Sequence, residues 1–90
     1  MQAFDVTVPP GRQLAGVTAG GEPAVVYPGE YLVHVLRDKA VPRRAAVLRF
    51  VGADALGRDV HVAVDPTLAD DAERAPQALV QRLCVAAPAQ

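Results

Sequence analysis

Tyr31-Leu32-Val33-His34-Val35-Leu36-Arg37 carries apolar side chains on both of its alternating faces. Valine at every second position suits a pleated strand, because its β-branch is stiff and packs well on a sheet. A strand apolar on both faces is expected in the middle of a sheet. The segments on either side of it are shorter and more one-sided. Upstream, Phe4-Asp5-Val6-Thr7-Val8 alternates apolar and polar, the mark of a half-buried strand, and Pro9-Pro10-Gly11 ends it. Gln13 to Thr18 reads as a short strand interrupted by Gly16. Ala19-Gly20-Gly21-Glu22-Pro23 is a loop, Ala24 to Tyr27 an edge strand, and Pro28-Gly29 fits a type II turn.

Downstream, Asp38 to Arg44 is a polar loop around Pro42. Ala46 to Val51 and Asp59 to Val64 are two further strands, and the glycines of Gly52-Ala53-Asp54-Ala55-Leu56-Gly57 bracket a hairpin between them. Asp65-Pro66 opens a helix, with aspartate as the N-cap and proline at the first helical position. Leu68, Ala72, Leu79 and Leu83 fall near one helical stripe, while Asp70, Asp71 and Glu73 sit early, where the helix dipole favours acid. Pro76 divides the helical segment in two.

This order of features resembles the SH3-like barrels. An early strand precedes a long Gly/Pro-rich loop. Pro28-Gly29-Glu30 then feeds the strong strand, and a variable loop, a hairpin and a helical turn at Asp65-Pro66 follow. The resemblance spans roughly Phe4 to Leu68 and implies a small barrel of five to six short strands with a C-terminal helical segment. A β-sandwich is the alternative. Peptide-binding SH3 domains use an aromatic cluster that includes tryptophan. This chain has no tryptophan, so that activity is not carried across.

Ninety residues support one hydrophobic core and one domain over 1–90: a barrel over about 4–64, the helical segment over about 66–84, and a tail fraying over 86–90. The apolar set is valine, alanine and leucine without isoleucine, and Lys39 stands alone beside eight arginines, a bias of GC-rich, bacterial-type coding. The single Cys84 rules out an intrachain disulfide, and the start of the chain has neither a basic nor an apolar signal region. No apolar run reaches the length of a membrane span. A cytoplasmic setting is expected, with no membrane contact.

Catalytic signatures are sparse. Serine and asparagine are absent. Cys84 sits beside an apolar helical stripe and reads as a buried small hydrophobe. His34 and His61 lie in strands that could place them side by side across a sheet, where each reads as a satisfied or half-exposed strand histidine, and with one distant cysteine they have no metal-ligand spacing. Asp54, Asp59 and Asp65 have turn or cap roles. Asp70, Asp71 and Glu73 spread around a helix instead of converging. The glycines match neither a dinucleotide fingerprint nor a phosphate loop. Catalytic, metal and cofactor residues are therefore assigned to none.

Charge supplies one candidate surface. Arg37, Lys39, Arg43, Arg44 and Arg49 cluster in the middle of the chain, whereas Asp59, Asp65, Asp70, Asp71 and Glu73 make the tail acidic. Either the two halves neutralise each other, or the basic loop meets phosphate. The second candidate is a pairing edge at Val25, Val26 and Tyr27, where an exposed strand accepts another chain. The leading expectation is a non-catalytic interaction module that binds a protein partner or self-associates. Weak nucleic-acid binding through residues 37–49 is the second. A small enzyme or ligand-binding barrel with a site shared between subunits is the third.

Overall fold

The computed structural model describes residues 2–37 and 46–88. Lys39, Arg43 and Arg44 of the basic candidate surface lie outside these residues. The chain is mainly β. Its strands are β1 (Gln2–Val8), β2 (Arg12–Val17), β3 (Pro23–Val26), β4 (Gly29–Arg37), β5 (Ala46–Phe50), β6 (Val60–Val64) and β7 (Val85–Ala86). A 3-10 turn (Pro66–Leu68) and the helices α1 (Asp71–Arg74) and α2 (Pro76–Leu83) lie between β6 and β7.

All pairings are antiparallel, in the order β1-β4-β5-β6-β2-β3, with β7 on β2. The apolar segment 31–37 is interior as expected, since β4 has β1 on one side and β5 on the other. The small barrel of five to six strands expected from the sequence is not closed. Seven strands make one open sheet, and β1 and β3, at the two ends of the order, do not pair. All seven belong to this one sheet, so the strands do not divide into the two stacked sheets of a sandwich.

Valines at alternate positions build the core. Val33 and Val35 of β4, Leu48 and Phe50 of β5, and Val60, Val62 and Val64 of β6 face inward and are buried. Leu14, Val26, Val6 and Val8 join them from the flanking strands, and Leu79, Val80 and Ala72 close the helical side. Val80 was not on the stripe read from the sequence. Phe50 meets Tyr31 edge-on at 6.1 Å, an arrangement that favours the ring quadrupoles.

The helical segment follows its sequence signals. Asp65 accepts from the Thr67 N–H at 2.8 Å, Pro66 starts the 3-10 turn, and Pro76 starts α2. Two details differ from expectation. Gly29 already belongs to β4, so Tyr27 and Pro28 alone join β3 to it. The tail is not frayed at Ala86, which pairs with Arg12, and the Ala87 N–H donates to the Gly11 carbonyl at 2.8 Å.

The two ends of the sheet are treated differently. On β1, Thr7 donates its N–H to Gln77 Oε1 at 2.8 Å, and Gln77 Nε2 donates to the Thr7 carbonyl at 2.9 Å. The side-chain amide of α2 thus takes the place of a neighbouring strand's peptide group. On β3, among the described residues, no strand lies beyond.

Candidate functional site

The hydrogen-bond parity of β3 follows from the hairpin that precedes it. The Thr18 N–H donates to the Glu22 carbonyl at 2.9 Å, while the Thr18 hydroxyl accepts from the Glu22 N–H at 3.2 Å. In an antiparallel ladder, bonded and non-bonded pairs alternate. With the register Val17↔Pro23, Gly16↔Ala24, Ala15↔Val25 and Leu14↔Val26, Ala24 and Val26 bond to β2, and Pro23 and Val25 turn their main-chain groups outward. Pro23 has no N–H to offer, which is why an edge tolerates it. Tyr27 continues the outward set, and its carbonyl accepts from the Tyr31 hydroxyl at 2.6 Å. Of the predicted edge residues, Val25 and Tyr27 therefore reach the rim. Val26 does not: it is fully buried and bonds inward.

Beside this edge runs a groove of about 420 Å³, lined in part by Ala15, Pro23, Val25, Tyr27 and Leu56. Leu56 is 76% exposed and Tyr27 53%, which is unusual for large apolar side chains so close together. The loop carrying Leu56 is held by Gly52 and Gly57 at positive φ and by Asp54. The Asp54 carboxylate accepts from the Arg58 N–H at 2.7 Å, the Leu56 N–H at 2.9 Å and Arg58 Nε at 2.6 Å. Arg58 also reaches Glu22 at 3.6 Å, tying this loop to the hairpin before β3. The site's wall was missed in the sequence because Leu56 and Val25 are neighbours only through β6 and β2.

The bonds from Arg58, its main-chain N–H foremost, hold the Asp54 carboxyl below the ordinary aspartate range against an opposing desolvation. Asp65 is lowered in the same way by the Thr67 N–H and hydroxyl. A carboxyl whose folded value lies below its unfolded one stabilises fully above the unfolded value, near 4, and loses that contribution as pH falls towards the folded value. Asp54→Asn is expected to be less stable than the parent at neutral pH. Its urea midpoint should then decline less steeply as pH falls below about 4. A parallel decline in both proteins would remove Asp54 as a source of the acid sensitivity.

Arg37 and Arg49, the two residues of the basic candidate surface that the structure describes, are engaged. Arg37 Nη1 lies 3.2 Å from Asp70 and 3.8 Å from Glu73, with its side chain only 17% exposed. The acidic helical segment thus docks on its own sheet, as the neutralisation reading expects. Arg49 sits between His34 and His61 on adjacent strands, with Nη2 2.6 Å from His34 Nδ1 and Nε 4.0 Å from Asp59. A guanidinium only donates, so His34 Nδ1 is the acceptor and the neutral ring carries its proton on Nε2.

This His–Arg–His row lies on the sheet face opposite the core. Neither the groove at β3 nor a second of about 450 Å³ along β1 and β4 is lined by a histidine. Cys84 is buried among apolar side chains, and that burial pushes its thiol up. Among the described residues, no three His, Cys, Asp or Glu side chains are grouped to hold a metal ion, and no helix is long and apolar enough to cross a membrane.

No protein-family model, curated protein or solved structure matches this chain.

Proposed function

We propose that this chain is a non-catalytic interaction module that takes an extended segment of a protein chain along β3. The observation that carries the reading is the outward-facing N–H and C=O of Val25 beside the apolar groove at Leu56. The opposite sheet edge, at Thr7, is occupied by Gln77. Main-chain pairing supplies affinity in such docking, and alternate side chains supply selectivity. The SH3-like resemblance remains a reading of the architecture and lends no binding chemistry. The basic segment is the weaker candidate, because Arg37 and Arg49 already face carboxylates.

The test is an amide NMR titration of the labelled protein with an end-blocked peptide of alternating valine and threonine. Shifts centred on Val25, Tyr27 and Leu56 that persist when salt is raised are expected, because strand pairing neutralises no phosphate. A parallel titration with single-stranded mixed-sequence DNA at low salt is expected to leave Arg37 and Arg49 unmoved. Unmoved β3 amides with millimolar peptide, or salt-sensitive shifts around Arg37 and Arg49 with DNA, would overturn the proposal.

A further inference from the structure

The main-chain groups on the rim of β3 have a pattern of their own. Pro23 offers a carbonyl and no N–H. Val25 offers both groups. Tyr27 offers an N–H, but its carbonyl is already taken by the Tyr31 hydroxyl. Read along the rim, the order is acceptor, donor with acceptor, donor. A generic strand laid alongside would bring one N–H and one C=O at every second residue, leaving a carbonyl opposite Pro23 without a donor.

One strand matches without remainder: β3 itself, run antiparallel. From this pattern, and resting on the proposed use of the β3 edge, we infer that the partner is a second copy of this chain, related by a two-fold axis through Val25. Val25 then exchanges both bonds with its symmetry mate. Each Tyr27 N–H donates to the other copy's Pro23 carbonyl. The N–H that Pro23 lacks falls opposite the Tyr27 carbonyl that is already satisfied, so the two defects cancel.

Side chains agree with this register. Pro23, Val25 and Tyr27 share one face of the strand, so the partner's Tyr27 ring lies over Pro23, at the groove that Ala15 and Leu56 also line. On the core-facing side, Ala24 opposes the partner's Val26 as a non-bonded pair, the arrangement that brings α-hydrogens closest across a sheet. The contact is self-complementary, as a two-fold interface must be. It is also small for a stable complex, so dissociation is expected on the order of 0.1–1 mM.

Sedimentation and NMR over that range test the inference. Increasing concentration is expected to convert monomer to dimer and to slow exchange of the Val25 and Tyr27 amides. In a mixed sample of labelled and unlabelled protein, an isotope-filtered experiment should detect an Ala24 Hα to Val26 Hα contact between chains, which no other register gives. Val25→Pro removes two intermolecular bonds and is expected to weaken the dimer about thirtyfold. Val25→Glu opposes like charges across the axis and should do the same. In both variants the residue's main-chain groups point away from β2, and an unchanged core spectrum confirms the fold. A monomer at all concentrations whose β3 amides still respond to the valine–threonine peptide would overturn self-pairing and leave strand capture standing. A monomer that ignores the peptide overturns both. A dimer unaffected by Val25→Glu, or lacking the Ala24–Val26 contact, overturns self-pairing alone.

Discussion

Gly16→Ala is expected to lower the urea midpoint sharply, whereas Gly20→Ala leaves it within experimental error. At position 16 an added Cβ would lie 2.5 Å from the His61 carbonyl oxygen, 2.7 Å from Val60 Cγ1 and 3.1 Å from Val62 Cγ2. The nearest obstacle is backbone, so no rotamer change relieves it. β2 must lift away from β6, and the two strands are joined by the single pair Val17↔His61. Overpacking a closed site costs about 1–3 kcal/mol, more when backbone must move, and a value of about 3 kcal/mol is expected here. At position 20 the same methyl finds only Thr18 Oγ1 at 3.9 Å. Hydrogen exchange at Val17 and His61 should accelerate with Gly16→Ala. Equal midpoints for the two variants would show that β2 adapts without leaving β6.

Phe50→Ala should be at least as damaging, by the opposite route. Phe50 is fully buried, packs edge-on against Tyr31, and pairs with Val33 on one side and Val60 on the other. Emptying such a site removes about 3–5 kcal/mol, from a total of about 5–13 kcal/mol for a chain of this length. The melting temperature is expected to fall on the order of 15–30 °C. Phe50→Leu, which refills most of the volume, should recover more than half of the loss. A fall of only a few degrees for Phe50→Ala would mean that the sheet collapses into the space, and that the ring contributes little beyond its bulk.

These two positions also mark where sequence reasoning succeeds and fails. Phe50 and its strand were legible, because β5 and β6 are local neighbours joined by a glycine-bracketed hairpin. The same holds for β4, whose two apolar faces announce an interior strand, and for the Asp65-Pro66 and Pro76 helix starts. Gly16 weakened the reading of β2, yet the structure needs glycine there because two strands cross at close range. That crossing is a long-range event with no periodic trace in the chain. The pairings of β1 with β4 and of β7 with β2 are hidden for the same reason, since alternation names strands but not partners.

The candidate site divides in the same way. The short apolar run Ala24 to Tyr27 suggested an edge, whereas Pro23, read as loop, begins the strand. Which of Val25, Val26 and Tyr27 faces outward depends on the Thr18–Glu22 closure, a matter of register that a one-residue slip would invert. The basic cluster was legible as charge, but the pairing of Arg37 with Asp70 and Glu73, and of Arg49 with Asp59, required the fold.

The carboxamide of Gln77 on Thr7 has a consequence for any assembly of this chain. A sheet with two unguarded rims can recruit copies head to tail, and such growth has no natural end, which is how soluble β-proteins pass into fibres. Here Gln77 of the same molecule plugs one rim at Thr7, while among the described residues no such bond covers the outward main-chain groups of Ala3 and Asp5 on that rim. Copies paired through β3 as proposed would present only their β1 rims to further chains, and there a full-length strand is refused at Thr7.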